Sequence, residues 1–206
     1  KKLDARILPT GNLRRPPGGT VTDLPGFGEG AWWVQDAAAA LPVNLLGDIK
    51  GRSIIDLCAA PGGKTAQLVN RGAVVTAIDR SEKRLARLSE NLGRLGLTAE
   101  LITADAVTWR PSQLADMVLV DAPCSATGTI RRHPDVARLK KPDDVAKLTS
   151  IQDRLLTAAL EMTASGGTVV YCSCSLLPQE GPERIEPLIG AGGAVRREPM
   201  KPGEVG

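Results

Sequence analysis

The chain has 206 residues, enough for one domain with a real core. Its 42% hydrophobic content is ordinary for a globular protein, while aromatics at 2% leave very few rings for stacking on bases. The net charge of +3 is compatible with a nucleic-acid partner without demanding one.

No apolar run of about 18 residues argues for a membrane span, and no signal peptide opens the chain. Four cysteines without an export signal fit a reducing, cytoplasmic setting better than a disulfide framework. The chain starts at Lys1 and stops in the polar stretch Lys201-Pro-Gly-Glu-Val-Gly206. Both ends read as cut, so a catalytic domain or the ordered part of one is expected.

Residues 1–30 are rich in Pro and Gly and read as turns and extended pieces leading into a domain over 31–206. Residues 34–46 read as a helix ending near Gly47, with Asp36 a good cap. Strands are expected at Ser53–Leu57, Val74–Ile78, Glu100–Thr103, Met117–Val120 and Thr168–Cys172. Helices are expected at Thr65–Asn70, Ser81–Arg94 (closing at Gly96) and Asp143–Ala164 (closing at Gly166-Gly167). Strands alternating with helical patterns argue for βαβ units: a mostly parallel α/β sheet with helices on both faces.

Asp56-Leu-Cys-Ala-Ala-Pro-Gly-Gly-Lys-Thr65 joins a strand to a helix. Small residues let a ligand approach the backbone, and the helix start offers N–H groups. Asp79 ends the next strand and suits a ribose hydroxyl pair; Asp105 ends the third and could reach an adenine amine. The spacing is neither that of a phosphate loop nor Gly-x-Gly-x-x-Gly. A nucleoside ligand without pyrophosphate, such as S-adenosylmethionine, fits better. The competing reading is a tight turn kept for packing.

Cys124 lies in Asp121-Ala-Pro-Cys-Ser-Ala-Thr-Gly128 and Cys174 in Tyr171-Cys-Ser-Cys-Ser175, each after an apolar run. The loops after these two strands and after Ser53–Leu57 converge on one crevice at the carboxyl edge of such a sheet. Cys58 reads as a small packing residue, and Cys172 and Cys174 are expected to share a strand face. One His and a Cys-x-Cys do not supply a zinc site, so no metal is expected. A Cys124–Cys174 disulfide is improbable as a cytosolic staple.

Methylation at cytosine C5 would use this set. A thiolate adding at C6 makes C5 an enamine carbon able to attack a sulfonium methyl group. Charge at N3 needs an acid, and a base must then remove the C5 proton. Cys174, Asp121 and Cys124 fit one thiol, one carboxyl group and a second base, with Lys64 the cation expected to favour thiolate. Inert core is the plainer reading of any single cysteine.

Arg131-Arg132-His133 could hold phosphate beside the crevice or form a solvated loop. His133, the lone histidine, could act as a base, but positioning a loop is the commoner role. Trp32 and Trp33 read as packing before stacking.

At Trp33-Val-Gln-Asp36, Asp56–Thr65, Asp79-Arg80, Asp121–Gly128, Arg131–Asp135 and Cys174-Ser175 the chain resembles the Sun/Fmu (NSUN-type, RsmB/NOP) RNA cytosine-5 methyltransferases, closest to the bacterial enzymes of small-subunit ribosomal RNA. The likeness covers about residues 30–190. It implies a Rossmann-like methyltransferase fold binding S-adenosylmethionine through Cys58, Ala59, Ala60, Pro61, Gly62, Gly63, Lys64, Asp79, Arg80, Asp105 and Asp121. It implies that Cys174 is the nucleophile and that Cys124 assists product release, the reverse of the DNA enzymes. Lys64 and Asp121 would face a flipped base, and Arg131, Arg132 and His133 would contact RNA.

Ser173 stands where the family usually has Thr, and Gly181 where it often has Asn. The chain shows no counterpart of the family's N-terminal RNA-binding domain or aromatic-rich final strands, so weak, salt-sensitive RNA affinity is expected. The partner is RNA, ribosomal in the first reading, and the chain is expected to be a monomer. Rival readings are a transfer-RNA enzyme of the same chemistry, a ribosome-assembly factor without turnover, and a small-molecule methyltransferase.

Overall fold

The structure, a computed structural model, describes residues 3–190 and 195–198; the stretch Lys201–Gly206 lies outside the described residues. Its centre is a parallel five-stranded sheet in the order β5-β4-β3-β6-β7. The strands are β3 (Ser53–Leu57), β4 (Val74–Asp79), β5 (Glu100–Thr103), β6 (Ala115–Asp121) and β7 (Thr163–Cys172). Its helices are α1 (Ala37–Asn44), α2 (Gly63–Asn70), α3 (Glu82–Leu95), α4 (Val136–Leu139), α5 (Pro142–Met162) and α6 (Pro182–Gly190).

Strands β3 and β6 are nearly continuous apolar runs because both faces of the sheet are covered. Alternate residues serve opposite layers. Ile55, Leu57, Val118 and Val120 pack with Leu155, Ala158, Ala159 and Met162 of α5. Ile54, Val75, Leu119 and Val170 pack with Val43 and Leu46 at α1 and Leu68 of α2. Leu85, Leu88 and Leu92 of α3 close a third cluster over Ala59, Ala60 and Ala66. The expected Rossmann-like architecture with helices on both faces is therefore the one observed.

Asp36 caps α1, accepting from the Ala38 N–H at 2.9 Å, and Ser81 caps α3. Gly96 ends α3 in the left-handed region at φ 65°. The glycine pair 166–167 behaves differently from its expected role as a helix stop. Helix α5 ends at Met162 and β7 begins at once. A Cβ on Gly167 would lie 2.6 Å from the Asp116 carbonyl oxygen, so this glycine lets a bulge in β7 close on β6. Helices α4 and α6 were not expected.

In residues 3–30 the chain forms a small antiparallel hairpin, β1 (Arg6–Ile7) with β2 (Leu13–Arg14), outside the main sheet. Gly30 anchors this segment to α3: a Cβ there would lie 2.0 Å from the Arg94 carbonyl oxygen. The Arg94 guanidinium sits 3.9 Å over the Phe27 ring, and Phe27 meets Trp32 edge-to-face at 5.3 Å. Trp32 thus packs, donating its Nε1–H to the Pro25 carbonyl.

Leu88 is fully buried between α3 and the loop before α2. Leu88→Ala should cost about 3 kcal/mol of stability, read as a lower urea midpoint at unchanged slope.

Candidate active site

The carboxyl edges of β3, β4, β6 and β7 end in Asp56–Leu57, Asp79, Asp121 and Cys172. Parallel register brings them level: Asp121 pairs with Cys172 as the last rung of β6–β7. Four loops leave this edge together.

The loop Cys58–Gly62 turns tightly into α2. Cys58 has φ 60° and Gly62 φ 100°. A Cβ on Gly62 would meet Leu88 Cγ at 2.6 Å, so Gly62 is required by packing as well as by its backbone. The Ala60 N–H donates to Asp79 Oδ2 at 3.2 Å and the Ser81 N–H to Asp79 Oδ1 at 3.0 Å. Arg84 lies 3.4 Å from Asp79 and also donates to the Ala60 carbonyl. Asp79 is therefore a buried brace of the loop. Arg80 is exposed. Asp105 does not end the third strand, which stops at Thr103; it is exposed and closes a turn by accepting from the Val107 N–H at 2.9 Å.

Asp56 is fully buried. Thr65 donates to its Oδ2 at 2.6 Å, and Oδ1 has no hydrogen-bond partner. Burial pushes its carboxyl up to about 7, against the Thr65 hydrogen bond. Cys58 is pushed up to about 12 by burial and by the field of Asp79, Asp121 and Asp56, and its side chain packs against the α5 cluster. It behaves as the expected packing residue.

Lys64, from the first turn of α2, reaches back to Asp121 at 2.7 Å. Burial opposes its charge, but Asp121 and its neighbours outweigh that and hold its pKa above the ordinary value. Cys172 and Cys174 do not share a strand face, because β7 ends at Cys172 and Cys174 lies in the following loop. Cys172 turns to Asp121, with Sγ 3.6 Å from Oδ1, and burial raises its pKa.

Cys174 is exposed and faces Cys124, Sγ to Sγ 3.3 Å. Both are free thiols. The Cys124 S–H donates to Cys174 and brings the Cys174 thiol down to about 7, against burial and Asp121; Lys64 helps only slightly. Lys64 thus acts in the expected direction, but the contact with Cys124 comes first, because the Lys64 charge is paired with Asp121. Cys124 is pushed strongly upward by the same contact and by burial. One member of the pair ionises near neutrality and the other keeps its proton.

A buried polar network beneath these thiols gave no signal in the sequence. Ser125 and Ser175, each following a cysteine, share a hydroxyl contact at 3.2 Å. Glu180 and Gln152, both fully buried, complete it. No segment spacing marks these residues; only the fold brings them together.

Arg131, Arg132 and His133 lie exposed on the loop after Thr127–Thr129. Arg132 is 3.4 Å from Asp36, linking this loop to the start of α1. Trp33 donates to Gln35 at 3.0 Å and Gln35 to Gln67 at 3.1 Å, so Trp33-Val-Gln-Asp36 braces α1 on α2. Among the described residues no group of three or more His, Cys, Asp or Glu could hold a metal, and no helix is long and apolar enough to cross a membrane.

Two titrations check this electrostatic layout. Asp56 ionises at about 7 in the folded chain, against an ordinary 3.8. Its contribution to stability is complete below pH 3.8 and is lost as pH rises through 7. Denaturant melts between pH 4.5 and 7 should therefore show a falling component that Asp56→Asn removes. Alkylation of Cys174 by iodoacetamide, followed on its own peptide by mass spectrometry, should rise with a midpoint near 7, and Cys124→Ala should move it toward the ordinary 9.0.

Residues 43–204 match the family model described as 16S rRNA methyltransferase RsmB/F. The chain is 47% identical over 174 residues to ribosomal RNA small subunit methyltransferase B of Vibrio cholerae, covering 82% of this chain and 40% of that protein. The same enzyme of Serratia proteamaculans is 46% identical, with 82% and 41% covered. The chain thus spans about two fifths of the length of these curated relatives. Among solved structures, NSun6 from Pyrococcus horikoshii with SFG superposes at TM-score 0.75 and 30% identity, covering 84% of this chain and 46% of that one. A methyltransferase homolog protein from the same organism gives 0.74 and 32%, covering 87% and 57%. With a family model over most of its length and close relatives over four fifths of it, this chain belongs to the 16S rRNA methyltransferase RsmB/F family.

Proposed function

We propose that residues 31–206 are the catalytic domain of an S-adenosylmethionine-dependent enzyme that forms 5-methylcytosine in RNA, 16S ribosomal RNA being the first candidate, with residues 1–30 a lead-in. The observation that carries this reading is the Cys174–Cys124 pair at 3.3 Å, set beside the Lys64–Asp121 pair at 2.7 Å.

The donor set suits the cofactor. Beside its one carboxylate, S-adenosylmethionine offers a sulfonium, an ammonium, ribose hydroxyls and an adenine amine, which are cations and hydrogen-bond donors. The sheet edge offers carboxylates, a poor seat for a pyrophosphate. Cys58, Ala59, Ala60, Pro61, Gly62, Gly63 and Lys64 would line the site, with Asp79, Arg80, Asp105 and Asp121 around it. A family neighbour was solved with SFG, an S-adenosylmethionine analogue. When bound, the cofactor supplies a sulfonium methyl group to cytosine C5.

Cys174 is the nucleophile in this reading. Its thiolate forms a bond to C6, and the displaced electron pair moves through C5 toward N3, where the proton-bearing Lys64–Asp121 pair meets the charge. After methylation the C5 proton must leave and the Cys174–C6 bond must break. Cys124 suits that base. While Cys174 is an anion it holds the Cys124 proton; once Cys174 is a thioether, that hold is gone, Cys124 loses its proton to solvent, and its thiolate then takes the C5 proton as the Cys174–C6 bond breaks and its electron pair returns to sulfur. Arg131, Arg132 and His133 would grip RNA phosphates beside the mouth. A reducing cytoplasm, which keeps both thiols free, and a monomeric protein belong to the same reading.

The test is covalent trapping with 16S ribosomal RNA and S-adenosylmethionine on denaturing gels. Cys124→Ala should accumulate a protein–RNA adduct and Cys174→Ala should give none. The opposite pattern would exchange the two roles. No adduct from any form, with cofactor bound, would favour an RNA-binding assembly factor.

A further inference from the structure

We propose that Glu180 is a positioning residue that holds Cys124 against Cys174: its carboxylate, with Gln152, fixes the peptide groups on both sides of Cys124, and its backbone carbonyl and the Ser125 hydroxyl it holds tether the serine side chains on both sides of Cys174. The proposal deepens the reading of Cys174 as nucleophile and Cys124 as its partner, and rests on it.

Glu180 lies in the short helical turn Pro178–Glu180, six residues beyond Cys174 in the chain, and its side chain is fully buried. A buried carboxylate is costly unless hydrogen bonds replace its water. Here they do. Oε1 accepts from the Ser125 N–H at 2.9 Å and from Gln152 Nε2 at 3.1 Å. Oε2 accepts from the Ser125 hydroxyl. Hydrogen bonds from Ser125, Ser175 and Gln152 outweigh the cost of burial and hold the carboxyl below its ordinary pKa.

The network reaches both flanks of Cys124. Ser125 N–H, just after it, is held by Glu180, and the Pro123 carbonyl, just before it, is held at 2.9 Å by the same Gln152 amide. It reaches both flanks of Cys174 as well. The Ser173 hydroxyl, just before it, donates to the Glu180 carbonyl at 3.3 Å. The Ser175 hydroxyl, just after it, meets Ser125 and Thr127, both at 3.2 Å. The Tyr171 hydroxyl adds a bond to the Glu180 carbonyl at 2.9 Å. Glu180 touches neither sulfur. Its effect on the reaction passes through the sulfur–sulfur distance.

The experiment reads that distance through the titration of Cys174, using the alkylation of its peptide without RNA or cofactor. In Glu180→Gln an amide N–H replaces one carboxylate acceptor, so the Cys124 loop loses part of its clamp. The Cys174 midpoint should move toward 9.0, and alkylation at pH 7 should slow about tenfold. Ser125→Ala, which removes only one hydroxyl, should shift it the same way by a smaller factor, about threefold. In Cys124→Ala the midpoint is already displaced, so adding Glu180→Gln should change it no further. A wild-type midpoint in folded Glu180→Gln and Ser125→Ala would overturn the proposal, as would an additive shift in the double variant. Should Glu180→Gln fail to fold, Ser125→Ala decides alone. Because this readout needs no methyl transfer, failed trapping with a shifted midpoint would indict the proposed reaction, and normal trapping with an unmoved midpoint would indict the role of Glu180.

Discussion

Two sulfur atoms 3.3 Å apart cannot both carry charge, and the rest of the site depends on that constraint. The thiolate left when the first proton departs is stabilised by the second, which stays. The result is a thiolate near neutrality without a bound cation beside it. The ammonium of Lys64 is committed to Asp121 at 2.7 Å. The site thereby separates two functions: sulfur chemistry on the β6 and β7 loops, and charge balance between α2 and the end of β6.

The sheet makes this separation geometric. The last rung of β6–β7 places Asp121 opposite Cys172, and the two chains then diverge into loops that carry Cys124 and Cys174. Loops that leave adjacent parallel strands would be free to drift apart. They are tied by the Gly128 N–H to the Cys174 carbonyl at 2.9 Å and by Leu176 N–H to the Thr127 hydroxyl at 2.9 Å. Close approach here needs glycine: a Cβ on Gly128 would lie 2.7 Å from the Cys174 carbonyl oxygen.

The frame was legible because the central strands are buried on both faces and so read as apolar runs, and because Asp79 and Asp121 end their runs while Asp56 stands next to last in its own. Cys124 was legible as a loop residue for the same reason; Cys174 reads as sharing a strand face with Cys172, whereas β7 stops at Cys172 and Cys174 lies in the loop beyond. Which way each thiol turns was not, since the end of β7 is decided by pairing with β6 rather than by alternation within its own residues. Gly166 and Gly167 carry the signature of a helix stop, yet Gly166 serves as a left-handed turn at φ 77° and contact with Asp116 on a neighbouring strand decides the use of Gly167. Glu180, Gln152 and Ser125 were the least legible. A glutamate in a Pro-rich turn and a glutamine on an amphipathic helix both look like surface, and only contacts distant in sequence reveal a buried network.

Exposure and ionisation together support the assignment of roles to the two thiols. A nucleophile must reach its substrate and be charged when it does so. Cys174 is the exposed member and the one brought down to about 7. Cys124 is more enclosed, keeps its proton, and has both neighbouring peptide groups tied to Glu180 and Gln152. A side chain so fixed is suited to a proton transfer over a short, constant distance. A side chain on the outer loop, with an open face, is suited to forming and releasing a bond to a base. In the proposed reading these two demands fall on two loops, and the hydrogen bond joining the sulfurs lets each state of one thiol set the state of the other.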